Sequence, residues 1–153
     1  MVEKQTPKYV TGMMIYHQAH KEHEGINSAM SDVDGIAKSL VDCVFTVHKN
    51  LGPGLLESAY EACLIEEFME RGLKFEAQKP LKIQYKSKLV DVAYRLDLVV
   101  EDKILIELKS VEKILPIHEA QILSYLKLSE YKLGFLINFN NRLIKDGIKR
   151  YII

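Results

Sequence analysis

The sequence predicts an α+β fold, one sheet with helices packed on it. Three observations predict it. The apolar residues keep a helical period from about residue 33 to 71, switch to a period of two between 74 and 109, and return to a helical period after Pro116. Gly52-Pro53-Gly54, Gly72 and Pro116 sit where the period changes. The chain of 153 residues, 48% hydrophobic and 27% charged, fits one domain with one core.

Residues 1–30 show no clear period, and 1–33 read as a weakly ordered N-terminal extension ahead of a single domain at 34–153. Met30 offers an alternative start. His17, His20 and His23 recur every three residues, but no Cys or carboxylate at a typical spacing completes a metal site, which favours a solvated segment. Ser31 or Asp32 caps a helix over about 33–50, with Val33, Ile36, Ala37, Leu40, Val41, Val44, Phe45 and Val47 on its apolar face. A second helix spans about 55–71 and stops at Gly72, burying Leu56, Ala59, Tyr60, Cys63, Leu64 and Phe68. Strands follow at 74–78, 81–86, 88–94, 95–100 and 103–109, the last two joined by the turn Glu101-Asp102-Lys103. A helix over 117–129 starts after Pro116, and strands at 133–139 and 148–153 close the chain.

Lys plus Arg and Asp plus Glu both number 21, so the formal net charge is zero. That speaks against a protein that coats nucleic acid by bulk charge, but not against an enzyme with one basic groove. No apolar run approaches the roughly 20 residues that span a bilayer, and the N-terminus has no signal-type apolar stretch. Two cysteines make no disulfide framework, so a cytoplasmic location without membrane contact is expected.

The hairpin 95–109 carries the chemistry. Leu96, Leu98 and Val100 share one face by alternation, as do Ile104, Ile106 and Leu108. Burying both sets together pairs Val100 with Ile104 and Leu96 with Leu108. Asp97 then lies opposite Glu107, with Cα atoms about 4.5–5.5 Å apart. Lys109 shares the face of Glu107. Two adjacent carboxylates repel each other, and a divalent cation turns that cost into binding. A metal held there lowers the pKa of a bound water, and a neighbouring lysine holds that water or steadies the phosphate. The same pattern fits a surface ion pair between Asp97 and Lys109. The apolar Val99 and Leu105 on that face argue that it is covered.

Supporting residues are less specific. Gln121 and Tyr125, four apart, share a helix face suited to a phosphate, a base or a water, and equally to core packing. His118 stands at the start of that helix. Gly54, Glu57 and Tyr60 repeat every three residues; Glu57 reads as helix-surface decoration or as a carboxylate reaching a buried partner, and Tyr60 as a core aromatic. Arg142, Lys145, Lys149 and Arg150 form a basic C-terminal cluster that suits nucleic-acid backbone or plain solvation.

The run Gly54-Leu55-Leu56-Glu57-Ser58-Ala59-Tyr60 resembles the signature of the bacterial and archaeal GxxExxY proteins, and residues 95–128 and 133–153 resemble the rest of that family. The resemblance covers about 34–153. That family is similar to the PD-(D/E)XK phosphodiesterase superfamily, particularly its RecB-type exonuclease branch. The resemblance implies a restriction-endonuclease-like core, a mixed central sheet flanked by helices in the order α-β-β-β-α-β. It matches Asp97 to the motif Asp and Glu107-Leu108-Lys109 to the E-x-K element. It matches Gln121 and Tyr125 to the Q-x-x-x-Y element and Glu57 to a helical acid that completes the metal site. Leu96, not proline, precedes Asp97. The implied protein is a Mg²⁺- or Mn²⁺-dependent nuclease acting on DNA. Asp97, Glu107, the Leu108 carbonyl and Glu57 would hold the metal, and Lys109 would position water. Gln121, Tyr125 and Tyr60 would meet the substrate. The alternative is a non-catalytic nucleic-acid-binding or protein-interaction module on the same fold. A third reading is a homodimer through exposed strand edges at 74–78 or 148–153.

Overall fold

A computed structural model describes residues 10–153; for 10–24, 26–28, 92 and 93 it describes backbone only. Residues 1–9 and the side chains of His17, His20 and His23 lie outside the described part. The elements in order are α1 (Val10–Leu51), α2 (Glu57–Glu70), β1 (Phe75–Tyr85), β2 (Lys88–Val100), β3 (Ile104–Lys109), α3 (Pro116–Leu128), β4 (Leu133–Asn138) and β5 (Ile148–Ile152). A short 3-10 turn, Ile144–Gly147, precedes β5. The fold class is the expected α+β, with a mixed sheet and helices on it. The chain forms two compact units, one up to Gly35 and one over Ile36–Ile153.

Three boundaries differ from the sequence reading. The helix expected from residue 33 is continuous from Val10. Residues 10–30 hold no proline, and each residue added to an existing helix gains a hydrogen bond, so Ser31 and Asp32 are helical rather than caps. The segments 74–78 and 81–86 are one strand, β1, although Pro80 lies inside it. β1 is an edge strand, where a missing N–H costs no ladder bond on the open side. Likewise 88–94 and 95–100 are one strand, β2.

The sheet order is β1-β2-β3-β4-β5. β1, β2 and β3 form an antiparallel meander, α3 makes the crossover to parallel β4, and β5 returns antiparallel. β4 reads as an apolar run up to Asn138, and β3 is apolar through Ile106, because both are buried on both faces. On one face Leu105, Val99 and Leu136 pack with Ile122, Tyr125 and Leu126 of α3. Close docking of α3 uses Gly134, where a Cβ would stand 3.1 Å from Ile122 and 3.2 Å from Leu126. The other face meets α2, whose Phe68 contacts Phe75 on β1. Tyr60 of α2 stacks on Phe139, just past β4, at 4.4 Å between ring centroids.

The β2–β3 register pairs Val100 with Ile104, as the hydrophobic pattern required. Leu96 departs from the expectation. It joins the cluster of Val99 and Leu105 instead of sharing the face of Leu98. Alternation breaks at Asp97, where paired residues of β2 and β3 end at Leu98 and Ile106. Gln78, the residue of β1 opposite Asp97, there takes φ +52°, a left-handed conformation uncommon for a non-glycine residue.

Beyond β4, the 3-10 turn presses on the strand end: a Cβ at Gly147 would lie 2.4 Å from the Asn138 carbonyl oxygen. Gly147→Ala is therefore expected to lower stability by about 1–3 kcal/mol. Thermal melting tests this, and an unchanged melting temperature would show that the turn is not tightly seated.

Candidate active site

The break in alternation builds the site. One step beyond the last β2–β3 pair, Leu98 with Ile106, stand Asp97 and Glu107. Freed from the ladder, the Asp97 carboxylate turns to the backbone and its Oδ2 accepts the Leu108 N–H at 2.8 Å. Glu107 is only 3% exposed. Its Oε1 accepts a bond from Lys109 Nζ at 3.0 Å, while its Oε2 is buried with no hydrogen-bond partner. A buried anionic oxygen without a partner is costly, and a cation is the partner that suits it.

Glu57 is the first residue of α2. Burial raises its pKa, Lys109 and the Ser110 amide pull it down and Asp97 pushes it up, so all three lie within its electrostatic reach. The preceding turn holds it there. Gly52 and Gly54 take φ +68° and +98°, which glycine adopts without a Cβ clash. Tyr60 locks the turn: its hydroxyl donates to the Gly52 carbonyl at 2.6 Å and accepts the Leu55 N–H at 3.1 Å. Ser110 Oγ donates to the Leu55 carbonyl at 2.6 Å, docking the turn beside Lys109. The spacing of Gly54, Glu57 and Tyr60 thus has a physical reading as turn, acid and lock. Tyr60 is fully buried and is not brought among the acids.

Two contributors escaped the sequence reading. Gln78 Nε2 donates to Glu61 Oε2 at 2.9 Å, and the same side chain lies near enough to Asp97 to favour its charged form. One amide therefore acts on an acid of α2 and an acid of β2. Glu61 stands four residues after Glu57, one turn along the same helix face, and that spacing was the available signal. Nothing in the sequence marks the left-handed backbone of Gln78.

α3 covers the sheet face that carries Leu105, and Glu107 and Lys109 follow it by alternation on β3. Gln121 Nε2 donates to the Tyr125 hydroxyl at 2.9 Å, and Tyr125, 7% exposed, lies 6.2 Å from the Tyr94 ring. His118 does not project as a free base. Its Nδ1 accepts the Leu115 N–H at 3.1 Å and caps α3.

Charge is costly throughout the cluster. Burial, with Asp97 adding repulsion, pushes the Glu107 carboxyl up to about 7. Burial also raises Asp97, against the lowering pull of the Leu108 amide and Lys109. Glu57 and Glu61 are raised by burial as well. Burial works against the Lys109 ammonium, but Glu107 and the other acids outweigh it and leave its pKa raised. Among the described residues, no three His, Cys, Asp or Glu side chains converge closely enough to enclose an ion by themselves.

The family model described as PD-(D/E)XK nuclease superfamily matches residues 34–151. The chain belongs to the PD-(D/E)XK nuclease superfamily. Its nuclease-type fold, with paired acids and a lysine at the end of the central strands, is in keeping with that membership. No curated protein and no solved structure matches the chain. Nucleases of this superfamily typically use divalent metal ions. The residues present fit such an ion: an unpartnered Glu107 oxygen, Asp97 within electrostatic reach, and Glu57 at the rim. Mg²⁺ commonly takes one or two carboxylates and completes its shell with water and phosphate, so a fully enclosed trio is not required. None of the described helices is long and apolar enough to cross a membrane.

The raised carboxyl makes the folded chain hold a proton more tightly than the unfolded one. Stability from that proton is complete below about 4.5 and lost as pH rises through about 7. Glu107→Gln, which cannot ionise, is expected to melt higher than wild type at pH 8 in chelator, by roughly 3 kcal/mol at most, with no advantage at pH 4. Equal differences at both pH values would show that Glu107 titrates normally.

Proposed function

We propose that the protein is a divalent-metal-dependent nuclease that hydrolyses phosphodiester bonds, DNA being the substrate to test first. The observation that carries the reading is the buried Glu107 carboxylate, with one oxygen on Lys109 and the other unpartnered beside Asp97. Asp97, Glu107, the Leu108 carbonyl and Glu57 would hold Mg²⁺ or Mn²⁺. When bound, such an ion acidifies a coordinated water and neutralises charge on the phosphate.

The chain's own groups do the rest. Lys109, held as an ammonium by Glu107, orients water and binds a phosphate oxygen as negative charge grows. Gln121 and Tyr125, already hydrogen-bonded to each other, orient the substrate strand from α3. Tyr60 acts from beneath, as a positioning residue that fixes the turn before Glu57. Gln78 is a second positioning residue, favouring the charged Asp97 carboxylate while it donates to Glu61. The resemblance to GxxExxY proteins supports the same assignment, and a cytoplasmic location belongs with it. The open edges β1 and β5 leave pairing into a homodimer compatible with this site.

Degradation of linear DNA with Mn²⁺ or Mg²⁺ tests the activity. Lys109→Ala is expected to cut the rate by about 100-fold or more with folding retained, as loss of one preorganised charge typically does. Wild type that binds no Mn²⁺ in calorimetry would sink the nuclease reading; binding without cleavage would leave the non-catalytic module.

Gln78→Gly separates positioning from folding. Glycine suits φ +52°, so the variant is expected to melt at or above the wild-type temperature. It should nevertheless bind Mn²⁺ more weakly, by up to about tenfold, because the side chain that favours the charged Asp97 is gone. Unchanged affinity would reduce Gln78 to a structural strand residue.

A further inference from the structure

A second feature lies at the same end of the sheet as Lys109. Phe139 N–H donates to the Lys109 carbonyl at 2.9 Å, and the chain then runs through 140–147 back toward α1. Between that loop and the last turns of α1 opens a groove of about 400 Å³, lined by Phe45, Thr46, His48, Lys49, Arg142, Leu143, Ile144 and Lys145. Every residue of fixed charge in this lining, Lys49, Arg142 and Lys145, is a cation, although the whole chain is formally neutral. None of the three is in an ion pair with a described residue. Lys49 alone is accounted for by the helix C-terminus that it occupies. Arg142 lies outside any helix, and Lys145 stands on a four-residue 3-10 turn too short for a comparable dipole.

The groove is also built. His48 Nε2 donates to the Asn141 carbonyl at 2.8 Å, tying the loop to α1, and its ring stacks near Phe139. Asn138, 1% exposed, holds the other end by bonding both the N–H and the carbonyl of Val111, at 3.1 and 2.9 Å. Large apolar surface stays open on both walls: Phe45 is 44% exposed and Leu143 48% exposed. Cations without counter-ions interleaved with exposed apolar and aromatic surface are what a single nucleic-acid strand needs. Phosphates meet the cations, and unstacked bases lie on the apolar surface. A protein surface that met only acidic peptide would have no use for the exposed Phe45 ring.

We infer that this groove is a binding track for single-stranded nucleic acid, leading a strand toward the end of β3 that carries Lys109. The inference rests on the nuclease reading for its direction, but the binding itself needs no metal.

The test is fluorescence anisotropy of a labelled single-stranded oligodeoxynucleotide with wild type in chelator, over a range of salt. Joint Lys49→Glu, Arg142→Glu and Lys145→Glu substitution is expected to weaken binding at least tenfold. The slope of log affinity against log salt should fall by about 2, three contacts at about 0.7 each. Joint Lys82→Glu, Lys86→Glu and Lys88→Glu substitution on the β1–β2 hairpin changes the net charge equally and should stay within twofold. Should the groove variant fold poorly by circular dichroism, single Lys49→Gln, Arg142→Gln and Lys145→Gln variants should each lower the slope by about 0.7. Equal losses in groove and hairpin variants, equal affinity for blunt duplex, or displacement of the strand by polyglutamate at equal concentration would each overturn the inference. Binding is read in chelator, where no cleavage is needed. Absence of cleavage therefore removes the nuclease reading while leaving the groove standing, and an unaffected groove variant does the reverse.

Discussion

A carboxylate inside a sheet must find a partner or give up its charge, and Glu107 meets that constraint halfway. Lys109 serves one oxygen, and the other has nothing. The surrounding architecture follows from keeping this imbalance in place. β3 is apolar up to Leu105 and Ile106, so the strand is anchored by ordinary burial before it presents an acid. The acid is then too deep to turn to solvent. Stability given up there is the kind of local cost that tends to collect at functional sites.

The irregularity at Asp97 serves the same end. In an unbroken antiparallel ladder Asp97 would stand on the sheet like any other side chain. Instead the pairing with β3 stops, the carboxylate binds a backbone amide of the neighbouring strand, and Gln78 takes a left-handed turn opposite. Such a backbone conformation costs on the order of 1 kcal/mol or more and persists only where its surroundings hold it. Here the Gln78 amide donates to Glu61 of α2, which helps to hold it.

Much of this was legible in the residues. Two alternating apolar sets, ending at Val100 and beginning at Ile104, left one register, and the structure keeps it from Val100–Ile104 to Leu98–Ile106, one step short of Asp97 and Glu107. Lys109 followed by spacing. What alternation could not foresee was its own interruption: Leu96 joins the other cluster just where the pairing of β2 with β3 has ended. Pro80 and Ser31-Asp32 misled for a common reason. Each is a strong local signal, and each was overridden, by an edge position in one case and by helix propagation in the other. Glu61 was open to detection from Glu57 by helical spacing. Gln78 was not, since its place depends on pairing across two strands.

The stack of Tyr60 on Phe139 has a mechanical consequence. Phe139 gives its amide hydrogen to Lys109, and Tyr60 grips the loop before Glu57, so one ring pair couples the supports of an acid and a base that lie 52 residues apart in sequence by number, 57 and 109. Neither support can loosen without straining the other. Exchange of the Phe139 amide with solvent would therefore report on the whole acidic corner at once, as a single cooperative opening and not as the fraying of one loop.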